Sequence, residues 1–315
     1  MSTEDFIHPN LKQMSHSSDD LLDKCPRKYQ LYKTGAKIVK LETVEDKHLA
    51  FGRLVGGGIE TWLITKDLVK THFSMFVSWD KMIDDEDGAL QKKTFWHGLV
   101  ALDKFATFFE QAFPNHELVH FDNKPAVELG FTIDCGDGFV YRGKLDALLI
   151  DTRTGELVVL ECKTTGFRNV HEAMYKHSGQ GLGYGLITDA IAHLIGSQLR
   201  SSYKVKYVIY KTSAYEWELL PFTKSRTERA LWIKQMLIRK VRISEFVGWN
   251  YFPMHGWNCY DFFRPCAYFG ICDRSDQLLI GDIEKVPVKE DNPEDYPFKF
   301  NLEEIIEAQL AIQGD

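Results

Sequence analysis

The run Leu157-Val158-Val159-Leu160 is unbroken aliphatic sequence, and it ends in Glu161-Cys162-Lys163. A short continuous apolar run is the signature of a strand buried on both faces, yet this one closes on two charges. Alternate residues of a strand share a face, so Val159, Glu161 and Lys163 point one way and Leu160 and Cys162 the other. A buried charge without a partner is costly. Any fold open to this chain must therefore bring compensating groups to the end of this strand.

Segments 126–133, 139–150 and 156–164 all have strand character. They are joined by Asp134-Cys135-Gly136-Asp137-Gly138 and Asp151-Thr152-Arg153-Thr154-Gly155, turn sequences that predict an antiparallel meander. Such a hairpin brings the Asp146 carboxylate beside that of Glu161. Two hard oxygen ligands and a nearby ammonium suit a Mg²⁺ site for phosphodiester hydrolysis. Asp146, Glu161 and the Cys162 backbone carbonyl would hold the metal. Lys163 would orient or help to deprotonate the attacking water and offset developing negative charge. Glu128, on the first strand of the meander, offers a third carboxylate or is simply solvated. Gln180 and Tyr184 stand four apart on a helix predicted over 178–199, where both can hydrogen-bond a phosphate or base. The bland alternative is a structural Asp–Lys–Glu ion pair, since so short a pattern arises by chance in many proteins.

The flanking sequence predicts helices before the meander and a mixture after it. Ser17-Ser18 starts a helix that Pro26 interrupts, and helices follow over 49–69 and 91–113, the last closed by Pro114. The triplet Gly56-Gly57-Gly58 lacks the strand and Lys-Ser/Thr of a phosphate loop and reads as close helix packing. Beyond the helix at 178–199 come strands at 204–211 and 215–222 and a basic amphipathic helix at 223–247. This order predicts an α/β (α+β) fold, a central mixed β-sheet flanked by helices. One domain is expected over 1–280, with a helical elaboration (1–120), a core (121–222) and a basic helix with a cysteine cluster (223–280). An acidic tail with a short helix at 302–312 completes the chain. No apolar run reaches 18 residues, so no membrane span is expected, and the first ten residues lack a basic-then-apolar leader, which predicts a cytoplasmic protein.

Three motifs in this order resemble the PD-(D/E)XK nucleases, in particular their RecB-like and AddB-like branch, which includes CRISPR-adaptation and phage exonucleases. They are Gly143-Lys144-Leu145-Asp146, Glu161-Cys162-Lys163 followed by Thr164-Thr165, and Gln180-Gly181-Leu182-Gly183-Tyr184. The likeness covers about residues 128–184. It implies a restriction-endonuclease-like core and a Mg²⁺- or Mn²⁺-dependent DNase, with Asp146 and Glu161 as metal ligands, Lys163 as catalytic lysine, and Gln180 and Tyr184 on the substrate. It also implies exonuclease action on DNA that is single-stranded or has free ends, alongside recombination, replication or CRISPR-adaptation proteins. The alternative is an inactive DNA-binding or assembly component of the same fold. One departure supports that alternative. The family often carries Gly-x-x-x-His on an early helix, and here Gly52-Arg53-Leu54-Val55-Gly56 has glycine in the histidine position.

Three of the six cysteines, Cys259, Cys266 and Cys272, fall within fourteen residues. Three thiolates need a fourth ligand to complete a tetrahedral or cubane site, and Cys25 is the leading candidate. The open readings are an iron–sulfur cluster, structural zinc with His255 as a stand-in, or buried free thiols. The resemblance implies the first, a [4Fe–4S] cluster joining one N-terminal cysteine to three C-terminal ones. Cys162 alternates into the core, and Cys135 sits in a turn with no assigned role.

A net charge of −7 argues at first against a nucleic-acid substrate. Residues 281–315 hold ten acids and three bases, so the tail accounts for all of it. Residues 201–245 carry ten bases against four acids, a balance compatible with a DNA backbone or with an ordinary solvated face.

Overall fold

The computed structural model describes residues 8–38, 47–79, 89, 91–194, 202–261, 264–273, 283–285 and 295–311. After a short strand β1 (Gln13–Met14), Ser15 opens helix α1 (His16–Lys24): the Ser15 hydroxyl accepts from the Ser18 amide while Ser18 returns the bond. Pro26 starts α2 (Pro26–Lys33) at the position where its missing N–H costs nothing. The single helix predicted at 49–69 is two, α3 (Lys47–Thr65) and α4 (Leu68–Ser78). The break is local. Lys66 adopts a φ of 53°, and the Asp67 carboxylate caps α4 through the Val69 and Lys70 amides. Thr94 then caps α5 (Phe95–Ala112), three residues inside the predicted start.

The strands follow the sequence pattern closely. They are β2 (His116–Leu118), β3 (Val127–Asp134), β4 (Val140–Asp151) and β5 (Leu157–Thr165). Then come α6 (Glu172–Lys176), α7 (Gly179–Leu194), β6 (Ser202–Lys211), β7 (Glu216–Ser225) and α8 (Arg226–Gly248). The helix predicted at 178–199 is seen as far as Leu194, and 195–199 lie outside the described residues. In the acidic C-terminal segment, β8 (Phe298–Asn301) leads into α9 (Leu302–Ala311), which buries Leu302 and Ile305.

By its packing the chain separates into two compact units, neither of them contiguous: Met1–Thr43, Gly130–Gly143 and Leu231–Ala311 form one, Val44–Leu129, Lys144–Ala230 and Ile312–Asp315 the other. In the first, β8 runs parallel to β3, pairing Phe298 with Phe131, and β1 runs parallel to the start of β4, pairing Gln13 with Val140. Gly143 is required there, because a Cβ on it would lie 2.5 Å from the Phe131 ring.

The second unit holds a mixed sheet flanked by helices. The end of β4 is antiparallel to β5 and to β2, β5 is parallel to β6, and β6 is antiparallel to β7. One face of this sheet packs Ala147, Leu149, Val158, Leu160, Val208 and Tyr210 against Phe51, Leu54 and Trp62 of α3 and Phe105 and Phe109 of α5. Cys162 packs against this cluster too, as its alternation predicts. Of the glycine triplet, Gly58 packs tightly, its Cβ direction meeting Met75 Sδ at 2.7 Å, while Gly56 and Gly57 face open space. Helix α7 contacts β5, β6 and β7. Its Gly181 makes that approach close, since a Cβ there would lie 2.7 Å from the Tyr207 hydroxyl.

Candidate active site

All the acidic and amide residues singled out in the sequence fall in the second unit. The β4–β5 hairpin pairs Ala147 with Leu160, which sets Asp146 across from the end of the apolar run. The Asp146 carboxylate accepts from the Cys162 amide at 2.7 Å. Glu161 is fully buried, and its Oε1 accepts from Lys163 Nζ at 2.5 Å and from Gln180 Nε2 at 2.7 Å. The same Gln180 amide lies 2.7 Å from the Tyr184 hydroxyl, which donates to the Lys144 carbonyl at 2.6 Å. Helix α7 thus locks the Glu161 carboxylate to the backbone beside Asp146. Asp146, Glu161, Lys163, Gln180 and Tyr184 form one connected set.

The charge balance of that set is strained. Burial, then the Asp146 charge, push the Glu161 carboxyl up to about 8, against the pull of Lys163 and Gln180. Burial also raises Asp146, with Lys163 and the Cys162 amide opposing it. Burial works against the Lys163 cation, but Glu161 and Asp146 outweigh it and hold the ammonium charged. Glu161 Oε2 is buried with no hydrogen-bond partner. An orphaned carboxylate oxygen beside a second raised carboxylate is the donor chemistry a hard divalent cation satisfies. In that sense the residues fit Mg²⁺ or Mn²⁺.

Glu128 lies in the same electrostatic neighbourhood. It is solvent-accessible yet crowded, and burial, Asp146 and Glu60 together push it up to about 7. Its backbone is left-handed, with φ 45°, an uncommon state for glutamate and one concentrated at functional sites. Glu60 itself was not singled out in the sequence. It is the one acid of α3 and lies four residues beyond Gly56, about one helical turn. Burial raises its carboxyl, Lys144 lowers it and Asp146 raises it further. A lone acid in a largely apolar, glycine-rich helix was the available signal. The space over Gly56 is open, and the α3 backbone lies near the site strand: a Cβ on Gly52 would sit 3.7 Å from Thr164 Oγ1.

The four cysteines proposed as ligands all belong to the other unit. The turn bearing Cys25 is tied to the C-terminal loop: the Arg27 amide donates to the Pro253 carbonyl and Arg27 Nε to the Cys272 carbonyl, both at 3.0 Å. Asn258 Nδ2 and His255 Nδ1 both reach the Lys24 carbonyl, which engages His255 as an anchor for the backbone. The Cys266 amide donates to the Cys259 carbonyl at 2.8 Å. Burial and the neighbouring Cys259, Asp273 and Cys266 raise the Cys272 thiol. Among the described residues, however, no three of His, Cys, Asp and Glu are gathered closely enough to hold a metal ion. Among the described residues, neither the acidic group nor the cysteine loop is a preformed cage of side chains. Cys135 is a buried thiol whose carbonyl accepts from Lys240 Nζ.

The basic balance of residues 201–245 is largely absorbed within the fold. Lys204, Lys211, Arg229, Arg239, Lys240 and Arg242 all pair with carboxylates, so six of the ten bases are internally neutralised. No described helix is long and apolar enough to cross a membrane.

A family model described as the PD-(D/E)XK nuclease superfamily matches residues 13–273. No curated protein matches the chain in sequence. Among solved structures, a provisionally named exonuclease from Eubacterium rectale aligns at 11% identity and a TM-score of 0.47, covering 81% of this chain and 90% of its own. A second, SSO0001, aligns at 15% identity and a TM-score of 0.26, with 82% and 96% covered.

Proposed function

This chain belongs to the PD-(D/E)XK nuclease superfamily, and from that footing we propose that it is a Mg²⁺- or Mn²⁺-dependent deoxyribonuclease acting as an exonuclease. Membership supports a nuclease; the metal, the DNA preference and the end-directed mode are the proposal. The observation that carries it is the buried Glu161 carboxylate, held by Lys163 and Gln180 with its second oxygen unpartnered beside Asp146.

Asp146, Glu161 and the Cys162 carbonyl would hold the cation, with Glu128 on its open side. A bound Mg²⁺ or Mn²⁺ supplies Lewis-acid stabilisation of the phosphoryl oxygens and lowers the pKa of water. Lys163 is a firm cation in this setting. That suits it to orient the attacking water and to stabilise negative charge on the phosphate more than to accept a proton. Gln180 and Tyr184 act first as positioning residues, fixing the rotamer of Glu161, and can extend to the substrate from the same helix face. A setting in recombination, repair, phage DNA metabolism or CRISPR adaptation is part of the same reading.

The test is degradation of end-labelled single-stranded DNA, duplex DNA and RNA with Mn²⁺, and with chelator as control. Metal-dependent loss of DNA is expected. No loss of DNA in any metal would favour the inactive DNA-binding reading, to which the open Gly56 position lends support.

The cysteines carry a separate proposal, a [4Fe–4S] cluster on Cys25, Cys259, Cys266 and Cys272, with structural Zn²⁺ as the alternative. Its support is the backbone tie between the Cys25 turn and the Cys272 loop. The visible absorption and metal content of anaerobically purified protein decide it. Thiolate-to-iron absorption is expected, and a colourless zinc-bearing or metal-free protein would contradict the cluster.

A further inference from the structure

Residues 166–178 connect the site strand to the site helix, starting three residues after Lys163 and ending two before Gln180. Most of this segment is exposed, and two large apolar side chains stand on it in solvent: Phe167, 73% exposed, and Met174, 71% exposed. The backbone beneath them is held. The Phe167 amide donates to the Thr165 hydroxyl at 3.2 Å, and the Thr212 amide to the Thr165 carbonyl at 2.9 Å. Helix α6 is anchored from below by the fully buried Lys224, whose ammonium donates to the Lys176 carbonyl. Tyr175 turns inward, its ring centroid 5.1 Å from that of Tyr207. Phe167 and Met174 are thus presented outward by a supported segment.

Single exposed apolar side chains are ordinary on protein surfaces. This pair is set apart by its place, on the segment that joins the strand bearing Lys163 to the helix bearing Gln180. Phe167 is four residues from Lys163, a reach of at most about 14 Å along the chain. The segment is also not acidic: Arg168 and Lys176 stand against Glu172, with His171 and His177 beside them.

We propose that Phe167 is a stacking platform for an unpaired base of the strand whose phosphate lies at Asp146 and Glu161, with Met174 as an apolar contact on the same segment. The platform selects single-stranded DNA and frayed ends over closed duplex. An aromatic face stacks on any base, so this selection is independent of sequence. Arg168 and Lys176 supply backbone phosphate contacts. The inference rests on the nuclease reading above.

The experiment compares kcat and KM of the full chain with Mn²⁺ on a labelled oligo(dT) and on a blunt duplex of equal length, for wild type, Phe167→Ala, Phe167→Leu and Phe167→Trp. Phe167→Ala is expected to raise KM on the single strand about tenfold, within the range for loss of one stacked base. Its kcat and its duplex cleavage should stay near wild type. Phe167→Leu, which keeps apolar bulk without a π-face, should be as impaired, and Phe167→Trp should restore wild-type KM. A wild-type KM for Phe167→Ala, full rescue by leucine, or equal loss on both substrates would overturn the platform. If the wild type cleaves nothing, the nuclease reading fails by itself. Fluorescence anisotropy of the same oligonucleotide then decides the platform: it stands if Phe167→Ala weakens binding about tenfold and falls if binding is unchanged.

Discussion

Glu161 concentrates the proposed chemistry in one side chain. It is buried, bonded on one oxygen by a cation and an amide, and bare on the other. Glu128 and Glu161 are pushed to about 7 and about 8, so each holds a proton for much of the time near neutrality in the metal-free protein. A divalent cation binds the ionised forms, so Mn²⁺ binding should release protons, and its affinity should rise with pH from 6 to 8. Calorimetric titration in two buffers of different ionisation enthalpy reads this directly. Heats that do not depend on the buffer would contradict it. Glu60 gives a second prediction at this scale. Glu60→Gln removes a negative charge near Asp146 that would attract the cation and should weaken Mn²⁺-dependent activity on the order of tenfold, the scale for groups that tune a metal site. Unchanged metal dependence would take Glu60 out of the site.

Elements were legible in the sequence where a pattern had one cause. The run from Leu157 reads as a buried strand and is one, and the turns after Ile133 and Ile150 place β3, β4 and β5 within a residue or two. Alternation along β5 put Glu161 and Lys163 on one side, where they meet. The Gln180/Tyr184 spacing predicted contact with a phosphate or base, whereas the two side chains bond within the protein, to Glu161 and to the Lys144 carbonyl. The break between α3 and α4 was hidden because it depends on a left-handed Lys66 and an Asp67 cap inside an apolar stretch, with Val69, Phe73 and Val77 forming a stripe that is exposed rather than buried. Glu60 was hidden because helical periodicity ranks apolar positions and says nothing of which acid meets a distant strand. The basic residues after Ser201 suggested a face for DNA, but pairing partners such as Glu156, Asp189 and Asp23 are remote in sequence. The glycine of Gly143-Lys144-Leu145-Asp146 acquires a packing reason, the Phe131 ring against it. Gly143→Ala should therefore destabilise the fold by about 1–3 kcal/mol through overpacking, read as a lower urea midpoint. An unchanged midpoint would show that the ring moves aside at no cost.

At the scale of the whole chain, stability responds to pH through Asp19, a group outside the proposed site, as well as through Glu128 and Glu161. Asp19 is buried with one unpartnered oxygen, and desolvation outweighs the Arg239 attraction to push it up to about 7. A carboxyl raised on folding contributes stability that is full below its unfolded pKa, near 3.9, and is lost as pH climbs through the folded value. The metal-free thermal midpoint should accordingly fall between pH 5 and pH 8, and Asp19→Asn should remove Asp19's share of that slope. A midpoint that rises over the same window would contradict the assignment. The acidic total of the chain has no bearing on the site, because it is carried by residues 281–315. What the proposed site would need is local: two carboxylates, one ammonium and a metal. The most direct measurement is Mn²⁺-dependent degradation of end-labelled DNA by wild type, Glu161→Ala and Lys163→Ala, with thermal melts to show that each variant is folded. Activity in the wild type and its loss in both folded variants is expected; a folded variant that degrades DNA at the wild-type rate would place the chemistry elsewhere.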